Sequence, residues 1–322
     1  IMSNKPAPVR RVYANTFAHL DYKRCIAPGI CGNKARKLFG LALGAGSAVV
    51  SHGGGQSNAM LALASLCHHQ GASFTYHTRP LPKWLRNEPV GNLRRALDLG
   101  MDLTEHSSAD EYEAAIANAA EAADGLFVPQ GAAWPGAEAG VQGLANEIES
   151  WWKGEQPSPT AHLSVVVPAG TGTTALYLAR HAPEFMTVFA VPCVGGASAL
   201  TSQMEALDEQ SGCLRRFPEV LEPPVELRTP FASPSEGVLQ AWKEAEDKHN
   251  MLVDLVYGSI AWGTLVAEDR PGGPFAASSA TLYVHCGGLE GLDTSLKRYE
   301  REGYLEADEA SRMLASAQAA VE

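Results

Sequence analysis

Five short apolar runs, residues 48–51, 74–77, 163–167, 188–191 and 282–285, alternate with longer amphipathic stretches, and this alternation constrains the fold more than any other feature. The runs are rich in β-branched residues, and Gly or Pro lies close to most of them. Continuous apolar strands belong to sheets covered on both faces. Helices are expected at 57–69, 109–123, 138–152, 173–181, 235–249 and 306–319. Strand–helix alternation of this kind reads as α/β, with mostly parallel sheets flanked by helices. The 322 residues are too many for one simple core, so one large or two modest domains are expected. Two segments read as linkers: 153–160 (KGEQPSPT) and the Gly- and Pro-rich 267–279. The first separates a smaller domain, 46–154, from a larger one made of 1–45 plus 155–322.

A net charge of −11 disfavours nucleic acid and anionic membrane as partners. No apolar run reaches the roughly 18–20 residues of a membrane span. None of the six cysteines forms a C-x-x-C pair, so no metal site is expected. A chain of this size builds a core without disulfides, and reduced thiols are the expectation. No secretory signal opens the chain, and a cytoplasmic or organellar location is expected.

Polar residues cluster at the ends of these elements. In Gly32-Asn33-Lys34-Ala35-Arg36-Lys37, Asn33 is placed to cap a helix running to about Leu43, with Lys34 in its first turn. The positive end of a helix opposes protonation of a lysine there, and a neutral amine is the form that attacks a carbonyl. The same residues also read as a solvated basic face. The run Ser51-His52-Gly53-Gly54-Gly55-Gln56-Ser57-Asn58 leads a strand through glycines into a helix, either to approach a ligand or simply to turn. Gly170-Thr171-Gly172-Thr173-Thr174 follows the run 163–167 as a phosphate cradle would. It lacks the Lys of a P-loop and the spacing of a dinucleotide fingerprint. Tyr257-Gly258-Ser259 and His285-Cys286-Gly287-Gly288 place polar atoms at strand ends, where open α/β sheets bind ligands.

Taken together and in this order, these motifs resemble the family of 1-aminocyclopropane-1-carboxylate (ACC) deaminases and D-cysteine desulfhydrases, from Lys23-Arg24 to Gly288. The most specific pieces are GNKARK and the strand–GGG–QSN turn, followed by VVVPAGTGTT, DLVYG and YVHCGG. The resemblance implies the fold type II architecture of enzymes dependent on pyridoxal 5′-phosphate: two domains, each with a mostly parallel sheet flanked by helices, and the cofactor between them. By motif, the lysine that holds the cofactor falls on Lys34. The phosphate loop falls on Gly170, Thr171, Gly172, Thr173 and Thr174. Gln56, Ser57 and Asn58 fall where the family holds the cofactor ring and the substrate carboxylate. Tyr257 falls beside the ring, with Lys34, Ser57 and Tyr257 as the catalytic set. Homodimerisation is expected.

The chain also departs from the family. Cys25-Ile26 stands where an acidic pair is usual, Cys31-Gly32 where two glycines are, and Ala59 where Gln or His follows Q-S-N. Gly258 replaces the glutamate that meets the pyridine nitrogen in ACC deaminases, and Phe231 replaces a second active-site tyrosine. Cys286 stands where desulfhydrases tend to carry threonine. Ser259 and Cys286 are then the candidates for the ring nitrogen, and Phe231 lines the substrate side. Opening a cyclopropane needs proton transfers to carbon that the missing tyrosine and glutamate support in the family. β-Elimination from D-cysteine or a similar small amino acid is less demanding and is the expected reaction. ACC deamination, a catalytically impaired cofactor-binding homologue and a nucleotide-binding α/β protein are the other readings.

Overall fold

The computed structural model describes residues 6–122, 125–155, 158 and 160–321. In chain order its strands are β1 (Val9–Tyr13), β2 (Thr16–His19), β3 (Cys25–Ala27), β4 (Ile30–Cys31), β5 (Ala48–His52), β6 (Ser73–Thr78), β7 (Asp102–Glu105), β8 (Leu126–Val128), β9 (Leu163–Ala169), β10 (Met186–Pro192), β11 (Glu219–Val220) and β12 (Ala280–Val284). The α-helices are α1 (Gly32–Lys37), α2 (Asn58–Gln70), α3 (Lys83–Asn87), α4 (Gly91–Asp98), α5 (Ala109–Glu121), α6 (Glu138–Glu155), α7 (Thr173–Arg180), α8 (Gly196–Gln210), α9 (Glu236–His249), α10 (Gly258–Glu268), α11 (Leu292–Arg301) and α12 (Ala307–Val321). All five expected strands and all six expected helices are among them. Residue 123, the expected end of α5, and residues 156, 157 and 159 of the expected linker lie outside the described residues.

The larger sheet has the order β1-β2-β12-β9-β10-β11. Only β1 runs antiparallel to its neighbour. Alternate side chains of β9, β10 and β12 enter opposite cores. Val166, Phe189 and Tyr283 pack with Trp242 of α9 and Trp262 of α10. Val165, Val188 and Leu282 pack with Ile148 of α6 and Leu176 of α7. Both faces are therefore dry, which is why these strands read as unbroken apolar runs. The smaller sheet, β7-β6-β5-β8, is parallel throughout and packs on α2 through Met60 and Leu63. Each such buried side chain stabilises by about 1.5–3 kcal/mol. No helix among the described residues is long and apolar enough to cross a membrane.

A division at residue 154 would place α6 with the smaller sheet. Its side chains instead fill the core of the larger one, and its Gly140 lies against α1, where an added Cβ would come within 1.9 Å of the Arg36 carbonyl oxygen. We therefore propose that the smaller unit ends before α6. The segment 267–279, read as a linker, connects α10 to β12 within the larger unit.

Two expectations are corrected at the start of the chain. Cys25 and Cys31 are joined by a disulfide, so the thiols are not all reduced. They are register partners across the β3–β4 hairpin, turned by Pro28 and Gly29. Gly29 has φ +78°, as Gly after Pro in such a turn requires. Helix α1 stops at Lys37 rather than near Leu43, and Cys31, not Asn33, occupies its N-cap position.

Candidate functional site

Helix α1 is short, and tertiary contacts rather than propensity fix it. Its backbone meets the segment after β12: Asn33 N donates to the Cys286 carbonyl at 3.0 Å. Gly32, at φ +58°, lies so close that a Cβ would stand 2.2 Å from that same oxygen. On its other side Arg36 is buried in a knot of charge. Its Nη2 lies 2.7 Å from both Asp21 Oδ1 and Glu147 Oε2, and Arg24 and His19 also approach Glu147. Burial alone would raise the Glu147 carboxyl, but hydrogen bonds from His19 and Arg36 and the charges of Arg36 and Arg24 bring it down to about 2. With Arg36 held there, Lys34 and Lys37, three residues apart, share the face opposite.

Lys34 Nζ donates to Asn33 Oδ1 at 2.8 Å, and Lys37 Nζ to the Gly131 carbonyl at 3.1 Å. Burial lowers both amines below the ordinary lysine range. For Lys34 the nearby Cys286, Glu290 and Asp254 pull the other way, and for Lys37 the neighbouring Lys34 charge adds to the effect. Lys34 opens onto a narrow cleft, about 10 Å³ in volume, which Cys31, Asn33, Asn58, Cys286 and Gly288 help to line.

Asn58 begins α2 after the glycine turn. Its Oδ1 accepts from the buried Asn92 Nδ2 at 2.8 Å, which leaves its own amide group directed toward Gly288. Ser57 is the N-cap of α2, its Oγ accepting from the Ala59 and Met60 amides, with the Tyr76 phenol beside it. Gln56 is placed differently from the sequence expectation. Both ends of its side chain hold the start of α4, through Val90 O and Asn92 N, so it positions Asn92 rather than lining the Lys34 cleft. It borders a wider opening of about 620 Å³ with His52, Arg79 and Tyr112.

The loop Gly170–Thr174 links β9 to α7. It stands beside the Cys286–Gly288 segment because β9 and β12 are parallel neighbours with Tyr283 opposite Val166. Thr171 Oγ1 and Thr173 Oγ1 are 2.8 Å apart. Thr174 Oγ1 is buried and has no hydrogen-bond partner among the described residues. A buried hydroxyl left unpaired costs about 1–3 kcal/mol, and a phosphate oxygen at the helix start would satisfy it. The loop therefore fits a phosphate group. Gly172 serves a different purpose: at φ +72° a Cβ there would meet Met204 Cγ at 2.4 Å, so the residue admits α8 rather than a ligand.

Tyr257 packs against this loop, with its Cε1 3.0 Å from where a Cβ on Gly170 would lie. Burial raises its phenol well above the ordinary range and keeps it protonated. Phe231 is 53% exposed, and its ring centroid lies 5.9 Å from that of Tyr257, so it stands at the solvent side. Cys286 faces the Lys34 cleft, its thiol pushed up to about 12 by burial and the charge of Asp21, against the opposing pull of Lys34 and Lys37. Ser259 does not face the cleft: it is fully buried and its Oγ donates to the Asp254 carbonyl at 2.9 Å.

Asp254 was read only as the first residue of the DLVYG motif, with no role of its own. Its carboxylate accepts from the backbone N–H groups of Val256, Tyr257 and Gly258, fixing the turn that presents Tyr257. A Cβ on Gly258 would lie 2.9 Å from Asp254 Oδ2, so no side chain fits there. The Asp two residues before a Val-Tyr-Gly turn was the available signal, since Asp bonds backbone amides just after itself. His285 was read only as part of a motif. Its Nε2 bonds the Leu252 carbonyl at 2.6 Å and its Nδ1 accepts from Gly287 N, a neutral form that burial favours.

No family model and no curated protein matches this sequence. Solved structures do. A protein described as an ACC deaminase homologue superimposes with a TM-score of 0.72 at 20% identity, over 91% of this chain and 94% of that one. A hydrogen sulfide-producing enzyme from Fusobacterium nucleatum gives 0.61 at 10% identity, over 89% and 94%. A fungal L-serine ammonia-lyase from Rhizomucor miehei gives 0.60 at 15% identity, over 92% and 98%. These likenesses establish the fold that the sequence resemblance implied.

Proposed function

We propose that this chain binds pyridoxal 5′-phosphate through Lys34 and is a lyase that eliminates the β-substituent of a small amino acid, with D-cysteine as the leading substrate. The observation that carries the reading is the placement of Lys34, whose depressed amine opens onto a cleft walled by Asn58 and Cys286. Lys34 Nζ and the Gly170–Thr174 loop would hold the cofactor, with the Thr174 hydroxyl among the groups that meet its phosphate. When bound, the cofactor supplies an electron sink for the pair left by the broken Cα–H bond.

The residues of the chain supply the rest. Lys34 Nζ, whose hold on a proton burial weakens, accepts the Cα proton in its unprotonated form. The Ser57 hydroxyl and the Asn58 amide bind the substrate carboxylate. Tyr257, held protonated, donates toward the departing β-substituent. The Cys286 thiol, also protonated, donates a hydrogen bond to the ring nitrogen; Ser259, whose hydroxyl is already engaged, is withdrawn from that role. A neutral partner there favours elimination of good leaving groups over chemistry that needs a strong sink. The solved structures of a sulfide-producing enzyme and an ammonia-lyase with this fold support the same class of reaction. Gly258, which no side chain can replace, leaves ACC without the acid that its ring opening uses.

The test is turnover by the cofactor-loaded protein. D-Cysteine is expected to yield 2-oxo acid, ammonia and sulfide in equal amounts, and ACC little 2-oxobutyrate. Efficient turnover of ACC with inert D-cysteine would overturn the substrate assignment.

A further inference from the structure

The disulfide between Cys25 and Cys31 takes no part in the proposed chemistry, yet it borders the Lys34 cleft. Cys31 lines that cleft and occupies the N-cap position of the helix that carries Lys34. Its partner Cys25 is exposed, so reagents in solution reach the bond from outside. The hairpin between them hangs from two fixed points. Asp21 precedes it and Arg36 follows it, and the two are joined by a buried ion pair at 2.7 Å. Cleaving the disulfide therefore loosens the hairpin without releasing the chain around it.

We propose that Cys25 and Cys31 are a reversible dithiol–disulfide site, oxidised by hydroperoxides and reduced by dithiols, whose state sets the accessibility of Lys34. In the forward direction the Cys25 thiolate attacks a hydroperoxide oxygen. The O–O bond breaks, an alcohol leaves, and Cys25 carries a sulfenic acid. The Cys31 thiol then attacks that sulfur, water departs, and the S–S bond forms. Two thiols have given two protons and two electrons to the hydroperoxide. In reverse, a dithiol attacks the exposed Cys25 sulfur and Cys31 leaves as a thiolate on the cleft side. The second thiol of the reagent then displaces Cys25, and the reagent becomes a disulfide. With the bond open, β4 is tied to β3 by backbone bonds alone and the Cys31 wall of the cleft relaxes.

The experiment treats the folded full-length protein with dithiothreitol or with tert-butyl hydroperoxide and removes the reagent. It then pulses iodoacetamide on one portion and acetic anhydride on another, reading both by peptide mass. Cys25 is expected to alkylate after dithiothreitol and to be protected again after hydroperoxide. Acetylation of Lys34 is expected to be about threefold faster in the reduced form, while Lys243, on the surface with Glu309, is unchanged. Cys25→Ser should match the reduced form under both treatments. The proposal is overturned if Cys25 alkylates equally after both treatments, if the bond survives dithiothreitol in folded protein, or if Lys34 acetylates at one rate throughout. None of these measurements uses pyridoxal phosphate, so they stand whatever becomes of the cofactor reading.

Discussion

Lys34 gives its amine to the side chain of the residue before it, Asn33, at 2.8 Å. A neutral amide is a weak partner for a cation, so nothing in direct contact offsets the burial that depresses this amine. Borohydride treatment of the protein with pyridoxal phosphate should fix the cofactor on Lys34, and Lys34→Ala should abolish the visible absorbance. A tag on Lys37 would show the assignment to be wrong. The pH dependence follows from the direction of the shift. Below the lowered pKa the amine is protonated and cannot condense, so retention should weaken as pH falls through that value, about tenfold per unit. It should persist to more acid pH than for an exposed lysine.

Thr174 offers a cleaner probe of the phosphate loop than any glycine. Its hydroxyl is buried and unpaired among the described residues, so Thr174→Val removes an unsatisfied group at constant shape. Cofactor-free protein should melt at the same temperature or slightly higher. Affinity for pyridoxal phosphate, read by fluorescence titration, should fall about tenfold, or about 1.4 kcal/mol. Equal affinity in both proteins removes Thr174 from the site.

Gly172→Ala should behave in the opposite way. The left-handed backbone and the Met204 side chain both resist a Cβ, so the cost falls on folding. Denaturant melts should show a loss of about 2–3 kcal/mol, in cofactor-free protein as much as in loaded protein.

Glu147 sets an acid limit on stability. Its carboxyl is brought from 4.5 to about 2 in the folded chain, so the stabilisation it contributes is full above about pH 4.5 and is lost as pH falls toward about 2. Glu147→Gln leaves Arg36 with Asp21 as its remaining carboxylate and should cost about 3–5 kcal/mol at neutral pH. The gap between variant and parent should close across that acid window. A pH-independent gap would mean that packing, not charge, is what the glutamate provides.

Some of this was legible in the residues and some was not, for identifiable reasons. β9, β10 and β12 were plain because both of their faces are buried. β1 (VRRVY) was not, because its two consecutive arginines, Arg11 exposed and Arg10 bonded to the His249 and Asn250 carbonyls, interrupt the apolar run. Helix α10 escaped because it is apolar on every side and carries two glycines, and Gly263 is there because Leu227 and Ala241 pack where its side chain would be. The order of motifs singled out Lys34, Asn58, Tyr257 and the loop Gly170–Thr174 as candidates. It also singled out Ser259 and Gln56, whose polar atoms face backbone, a distinction that residue type does not carry. The disulfide did have a signal: in Cys25-Ile26-Ala27-Pro28-Gly29-Ile30-Cys31 a Pro-Gly turn with arms of similar length brings the two cysteines opposite each other.

The pairing of β2 with β12 bears on how the protein is made. Phe17 meets Leu282 in a sheet whose strands β9, β10 and β11 lie between them in the chain. A growing polypeptide can complete the smaller sheet early, since β5 to β8 are close in sequence. It cannot seat β2 until the ribosome has released β12. Until then Asn33 lacks the Cys286 carbonyl that anchors α1. The lysine-bearing helix therefore takes its final place late, and a nascent chain holds the residues of the site long before it holds their arrangement.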